Sequence, residues 1–369
     1  MPVMLRSLST VVVLLIIPCP WMHSQVVDAK IPAAVTASAA DDYRSNPKFV
    51  EVMKEAKQFE RQKRVAFAGD DSKKANKIAG GRCFECLQGL YQAQLRQRNY
   101  KDALATTVVL EGLAASPVEK SEAMYYRGRA MVAKGGDKPK PAELEAAHGV
   151  FQEAIGQYPK NIAALFADGK VLALLGRMDQ ARADFQLCVK RVNPTDPARL
   201  RAEHFAVDPE LSTHEMAPAF EVTALDGTKF NLDAMGGRVV LIDFWATWCG
   251  PCIEELPQMR KIAKKFANDP LVIISVSWDS DEQKWKQFVV KNDMSWVQYR
   301  DADHAMAEEF GIHSIPHYFT IDSDGVLTTE IIGSGADVEG EMKKLIARAR
   351  KAKAQALSTP GAQAVSAGN

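Results

Sequence analysis

The chain has 369 residues, of which 47% are apolar and 25% are charged, and its 46 Lys and Arg residues balance its 46 Asp and Glu residues. A net charge of zero lacks the basic excess typical of nucleic-acid-binding proteins, and the apolar fraction excludes a globally disordered chain. Six cysteines are too few for a disulfide-stapled scaffold. At ~150 residues per domain, the length predicts about two domains.

The first 29 residues predict a cleaved secretory signal peptide. Arg6 precedes an apolar run from Leu8 to Ile17, and two prolines and several small residues follow. The run is about half of the ~20 residues that span a bilayer, which argues against a permanent anchor. Cys19 lacks the small residues usual before a lipidated cysteine, so a lipid anchor is also disfavoured. We therefore predict an exported protein, periplasmic or otherwise extracytoplasmic, in a compartment where disulfides persist.

Residues 30–46 are rich in Ala and Ser and predict a flexible lead-in. From Lys48 onward, apolar residues recur at i, i+3 and i+4, which predicts an amphipathic helix. The Gly69-Asp70-Asp71 sequence predicts the end of that helix.

A period of 34 residues within residues 47–193 predicts helical repeats. The matching positions are Ala147, Phe151 and Ala154 in one unit and Ala181, Phe185 and Cys188 in the next. Gly128 and Gly169 extend the match if Lys134–Pro141 is a loop insertion. The pattern resembles the tetratricopeptide repeat, whose helix pairs bury one face against their neighbours. This resemblance implies an all-α domain with a surface for a peptide or protein partner, and an irregular helical bundle is the alternative.

A first C-x-x-C pair, Cys83 and Cys86, opens a helical segment after two glycines. The spacing puts both sulfurs on one helix face, where they can form a disulfide, and a helix N-terminus would also favour a thiolate. We rank a structural disulfide first, a second redox pair next, and cysteines that only pack last. A zinc site needs four ligands, which the sequence does not supply here. Cys188 is interpreted as a small buried packing residue.

Residues 194–211 carry Pro194, Pro197 and Pro209 and predict a linker. Strands then alternate with helices over 212–353, which predicts an α/β unit with a mixed sheet. The predicted elements are a hairpin around Asp226–Gly227, strands at 239–245, 271–276, 315–321 and 326–332, and helices at 253–267, 282–291, 302–310 and 337–350. The tail, 354–369, is rich in Ala, Ser and Gln and predicts disorder.

The strand Val239–Trp245 runs into Ala-Thr-Trp-Cys249-Gly-Pro-Cys252 and then into a helix, with Ile315-Pro316 farther along. This arrangement resembles the redox site of thioredoxin-fold proteins. The leading hairpin and the Glu254–Pro257 run resemble the TlpA/ResA-like exported thiol–disulfide oxidoreductases. The resemblance implies an α/β thioredoxin fold over 212–353 and a protein-disulfide reductase without metal or cofactor. It also implies a protein or peptide disulfide as substrate, an upstream electron donor and no nucleic-acid partner.

The spacing and the resemblance together assign roles to the redox pair. Cys249 at the helix start, where backbone N–H groups favour a thiolate, attacks the substrate disulfide, and Cys252 one turn later resolves the mixed disulfide. The resemblance makes Asp243 a buried proton carrier for Cys252, with Glu255 as the second choice, and a backbone-bonded strand-end Asp243 is the structural alternative. Many exported relatives have Asn where this chain has Asp243.

The resemblance also assigns the surface around the pair. Pro316 corresponds to a cis-proline that faces the cysteines, and Ile315 would pair its backbone with an extended substrate. Trp248, Gly250 and Pro251 would complete the substrate-binding surface. By family analogy, Gly-Pro between the cysteines favours reduction over strong oxidation.

Two other functions remain as hypotheses. The first is a scaffold in which the helical repeats bind and the redox domain is ancillary. The second is a thiol peroxidase on the same fold, which is disfavoured because the chain lacks a Pro-x-x-x-Thr-x-x-Cys motif.

Overall fold

The computed structural model describes residues 4–7, 42–61, 64–136, 138–193, 196 and 198–358. The chain divides into two compact units, with the change between them at Glu215 and Met216. Within the predicted signal peptide the structure describes only Met4–Ser7, which pair with a strand of the C-terminal unit in the uncleaved chain. Most of the lead-in and the last residues of the tail also lie outside the described residues.

The N-terminal unit is all-helical, as predicted, and each helix packs against the next. Its helices are α1 Pro47–Arg61, α2 Val65–Ile78, α3 Phe84–Arg96, α4 Tyr100–Leu113, α5 Pro117–Lys134, α6 Pro141–Gln157, α7 Ile162–Leu174, α8 Met178–Arg191 and α9 Ala198–Val207. Short polar side chains start several of them; the Ser116 hydroxyl, for example, accepts from the Glu119 N–H in a capping box at α5.

Two glycines explain the repeated pattern. A Cβ on Gly128 of α5 would lie 2.5 Å from the Phe151 ring of α6, and one on Gly169 of α7 would lie 2.9 Å from the Phe185 ring of α8. The same glycine–phenylalanine contact therefore recurs in successive helix pairs, consistent with tetratricopeptide-like stacking. Cys188 is a fully buried free thiol on α8.

The structure corrects three predicted boundaries. Gly69 does not end a helix but lies inside α2, where it allows close approach to Ala93 of α3. The predicted linker 194–211 contains α9, because Ala202 and Phe205 are buried and Phe205 packs on Phe185. The last helix, α13, extends to Ser358 and so enters the predicted tail 354–369, since an Ala- and Lys-rich sequence favours helix.

Cys83 and Cys86 are joined by a disulfide at the start of α3. The Cys83 sulfur accepts the Cys86 N–H at 3.1 Å, and both residues are buried in a cluster that includes Phe49 and Met53 of α1. The Cys86 sulfur lies 3.5 Å from the Met53 sulfur. Because both cysteines are buried and Cys86 contacts α1, this environment favours the structural interpretation over the redox one.

We expect the Cys83→Ala/Cys86→Ala double variant to lower the free energy of unfolding by about 2 kcal/mol, the small value typical of a short loop. Denaturation followed by circular dichroism measures it, with Cys188→Ala as a control that removes a buried thiol but no crosslink. Disulfide-reducing turnover should not change. Lost turnover in a folded double variant would instead support a second redox pair.

The C-terminal unit has the thioredoxin fold predicted from the sequence. Its strands are β1 Met4–Ser7, β2 Glu221–Thr223, β3 Lys229–Asn231, β4 Val239–Trp245, β5 Leu271–Ser277, β6 Val297–Arg300, β7 His317–Ile321 and β8 Leu327–Ile332. Its helices are α10 Gly250–Lys265, α11 Glu282–Lys291, α12 Ala305–Glu309 and α13 Val338–Ser358. The main sheet has the order β1-β8-β7-β4-β5-β6, and β2 and β3 form a separate hairpin.

Central strand β4 pairs parallel with β5 and antiparallel with β7, so the sheet is mixed. All seven β4 residues are buried because both sheet faces are covered. One face, which includes Val239 and Leu241, packs on Met259 and Ile262 of α10, and the other packs on α12. Among the described residues, no helix combines the length and apolar character needed to cross a membrane.

Candidate active site

The second C-x-x-C pair lies where β4 passes into α10. Cys249 is the N-cap of α10, and its sulfur accepts the Cys252 N–H at 3.3 Å. The two sulfurs are joined by a disulfide. Cys249 and Cys252 are 6% and 4% exposed, so in this disulfide form Cys252 is hardly more shielded than Cys249.

Neighbouring apolar side chains frame the pair. Trp248 is 62% exposed and lies beside Cys249 in the chain. Ile315 packs on the cluster that contains both cysteines. The Ile315–Pro316 peptide bond is cis, as the resemblance implies. A buried disulfide with an exposed tryptophan next to it in the chain suits recognition of another apolar surface.

A hydrogen-bond network holds the segment that leads to Cys249. Thr247 donates its N–H and its hydroxyl to the Asp279 carboxylate, at 2.9 and 2.5 Å. The Ser277 hydroxyl donates to the same carboxylate at 2.7 Å. The turn before the redox pair is thereby attached to the end of β5, and the sequence interpretation missed this network.

Asp243 is buried in the middle of β4, at 3% exposure. Side chains alternate along a strand, so Asp243 lies on the same face as Leu241 and Trp245. Leu241 packs on α10, and Trp245 belongs to the buried cluster that contains both cysteines. Asp243 therefore faces the helix that carries the redox pair.

Burial raises the pKa of Asp243 to about 7. The Ser275 hydroxyl donates to Asp243 Oδ2 at 2.8 Å and opposes that rise, while the nearby Glu255 charge adds to it. Burial also raises the pKa of Tyr318, which pairs with Asp243 across β7. A carboxyl group that titrates near neutrality can take up and release a proton under physiological conditions.

Glu255, the second candidate for the proton carrier, has a structural partner. Its carboxylate accepts the Gly335 N–H at 2.6 Å. Among the described residues, no group of three or more His, Cys, Asp or Glu side chains could hold a metal ion. The chemistry that this arrangement supports is thiol–disulfide exchange beside a buried acid–base group.

Comparisons with known proteins agree with this chemistry. Residues 212–346 match the Redoxin family. The thiol–disulfide oxidoreductase ResA of Bacillus thuringiensis is 32% identical over 143 residues, which are 38% of this chain and 83% of that protein. The chain belongs to the ResA-like thiol–disulfide oxidoreductases. The resemblance and the α/β thioredoxin fold predicted from the sequence are therefore confirmed, and the protein is an oxidoreductase.

Two further proteins are similar to nearly the same share of the chain. The thioredoxin-like protein YneN of Bacillus subtilis is 33% identical over 132 residues, 35% of this chain and 76% of that protein. The crystal structure of the thioredoxin domain of a Bacteroides vulgatus thiol–disulfide oxidoreductase is 27% identical, covers 36% of this chain and 96% of that domain, and has a TM-score of 0.33.

Proposed function

We propose that this ResA-like protein is an exported reductase of protein disulfides that works through Cys249 and Cys252. The observation that carries the proposal is the Cys249–Cys252 disulfide at the N-terminus of α10, on the sheet face where Asp243 is buried. The functional division that we propose is a signal peptide at 1–29, helical repeats at 47–193 and a redox domain at 212–353.

The reaction begins with the reduced dithiol. The Cys249 thiolate attacks one sulfur of a substrate disulfide, forms a mixed disulfide and releases the other substrate sulfur as a thiolate. The Asp243 carboxylate accepts the proton of the Cys252 thiol. The Cys252 thiolate then attacks Cys249, forms the Cys249–Cys252 disulfide and releases the second substrate thiolate. The substrate gains two electrons, and an upstream dithiol donor must return two electrons to the enzyme.

The surface around the pair supports a protein or peptide as substrate. Trp248 offers an exposed aromatic face, and Ile253 on the first turn of α10 is 37% exposed. A side chain at Gly250 would meet open space, with no heavy atom within 4 Å of its Cβ. Gly250 and Pro251 form the start of α10 beside Cys249. An extended chain could lie across Trp248 and pair with the backbone of Ile315.

Export and partner binding complete the proposal. The signal-like first 29 residues support an extracytoplasmic location, where substrates with disulfides occur. Stacked helical repeats of the kind found in the N-terminal unit commonly bind a peptide or protein, which supports a role in selecting the partner whose disulfide is reduced.

The reduction potential of the Cys249–Cys252 couple tests the direction of transfer. A value near −270 mV, as in thioredoxin, would fit a reductase, whereas a value near −120 mV would indicate an oxidant. A value below about −300 mV would favour the scaffold hypothesis, because the disulfide would then be structural. If Cys249→Ser abolished disulfide reduction but left rapid peroxide turnover, the thiol peroxidase hypothesis would be favoured over the proposed reductase.

A further inference from the structure

Four buried polar side chains form a row across the sheet at the level of Asp243. The strand registers pair Asp243 with Tyr318 of β7 and with Ser275 of β5, and pair Ser275 with Gln298 of β6. Residues paired in register point to the same face. All four are at most 3% exposed. Since buried polar groups are costly unless they are hydrogen-bonded, such a row across the sheet needs an explanation.

The hydrogen bonds along this row have a fixed direction. The Trp296 indole nitrogen lies 2.7 Å from Ser275 Oγ, and Ser275 Oγ lies 2.8 Å from Asp243 Oδ2. An indole N–H can only donate, so the serine oxygen must accept it. The single hydroxyl hydrogen of Ser275 is therefore left for Asp243. The two hydrogen bonds therefore run from Trp296 to Ser275 and from Ser275 to Asp243. Because Asp243 is the final acceptor, this arrangement suits an ionised carboxylate.

Only Oδ2 of Asp243 is hydrogen-bonded within the described part of the chain. The other oxygen, Oδ1, remains to accept a proton. The titratable groups on this face are Tyr318 of β7 and Glu255, Cys249 and Cys252 of α10, while α13 contributes apolar side chains such as Met342. Beside Asp243, β5 and β6 present only the uncharged Ser275 and Gln298. No cation is among these groups, so Ser275 is the group that favours the charged form of Asp243.

We infer that Ser275, oriented by Trp296, is a positioning residue that favours the ionised form of Asp243 and turns its free oxygen to the proton of Cys252. The inference rests on the proposed role of Asp243 as the base for Cys252. Ser275 acts through the carboxylate to which it donates a hydrogen bond. Trp296 acts one step farther away, because its indole decides which way the serine hydroxyl points.

The test is the pH dependence of single-turnover oxidation of the reduced full-length protein by a peptide disulfide, followed by tryptophan fluorescence. We expect Ser275→Ala to move the acid limb of the rate profile about one pH unit upward, since a hydrogen bond to a charged group is lost. The rate at pH 7 should fall several-fold and should recover at high pH. Ser275→Thr, which keeps a hydroxyl, should restore the wild-type midpoint.

Trp296→Phe should move the limb in the same direction by a smaller amount. The double variant should move it no farther than Ser275→Ala alone, because Trp296 acts through Ser275. Thr320→Val is the matched control, since it removes a fully buried hydroxyl from β7 whose partner is Thr328. It should reduce stability and leave the midpoint unchanged.

Asp243→Asn separates failure of the inference from failure of the proposed function. If Asp243→Asn keeps the acid limb, Asp243 is not the base, and both the inference and the proposed role of Asp243 are wrong. If Asp243→Asn removes the limb but Ser275→Ala and Trp296→Phe leave the wild-type midpoint in place, only the inference is wrong. A shift of equal size in Thr320→Val would also overturn it, because general destabilisation would then explain the change.

Discussion

Cys249→Ser is expected to lower the turnover of a protein disulfide by about three orders of magnitude or more. A serine hydroxyl stays protonated at neutral pH and cannot replace the thiolate as the nucleophile. Insulin reduction by a dithiol donor gives the rate. Cys188→Ser serves as a control, because it removes the buried free thiol of α8, far in sequence from the redox pair, and should leave turnover near the wild-type value.

Substitution of the second cysteine, Cys252, should have a different effect. Cys252→Ala leaves the nucleophile in place but removes the thiol that resolves the mixed disulfide. Substrates should therefore accumulate on Cys249 as stable adducts, visible by non-reducing electrophoresis and identifiable by mass spectrometry. Wild-type turnover in Cys249→Ser would contradict the proposed order of attack. So would stable adducts on Cys252 in Cys249→Ser together with no adducts on Cys249 in Cys252→Ala.

Asp243→Asn is expected to slow resolution by Cys252 at pH 7 by about 10²-fold, the lower range for a general base. Because the pKa of Asp243 is raised to about 7, the wild-type rate should rise with pH through neutrality as the carboxylate forms. The asparagine variant should lack this rise. A stopped-flow pH series from 5 to 9 measures both effects, and an unchanged profile would show that another group takes the proton.

Asp243→Asn should stabilise the folded protein although it slows the reaction. The folded-state pKa of Asp243 lies above its unfolded value of 3.8, so the folded protein holds this proton more tightly. The stabilisation that the protonated Asp243 carboxyl group gives to the folded state is complete below about pH 4, and it is lost as pH rises through 7. Asp243→Asn should therefore stabilise the redox domain at pH 8 by about 3 kcal/mol and have little effect near pH 4. Thermal unfolding at both pH values measures the difference.

Much of the redox site was predictable because its signals are local. An apolar β-branched strand, a turn and a cysteine at a helix start follow one another between Val239 and Cys252. Strand, turn and cap preferences act over a few residues, so the order of elements could be predicted. Alternation along β4 also puts Asp243 on the same face as Leu241 and Trp245.

The errors arose where local signals conflict with tertiary packing. Prolines suggested a linker at 194–211, but burial of Phe205 against Phe166 and Phe185 stabilises helix α9. Gly69 resembled a helix end, yet the lack of a side chain serves a close contact with Ala93. Glycine and proline have more than one structural use, and only the neighbouring helices decide which one applies.

The sequence by itself determined the two-part organisation, the helical period, the strand–turn–helix that carries Cys249 and Cys252, and the family to which they belong. Only the tertiary structure decided which side chains surround Asp243. Ser275 and Trp296 lie 32 and 53 positions from Asp243 in the chain, and the parallel register of β4 and β5 brings the first beside it. Strand register depends on long-range pairing, and one step of slippage would turn Ser275 to the opposite face and break the contact.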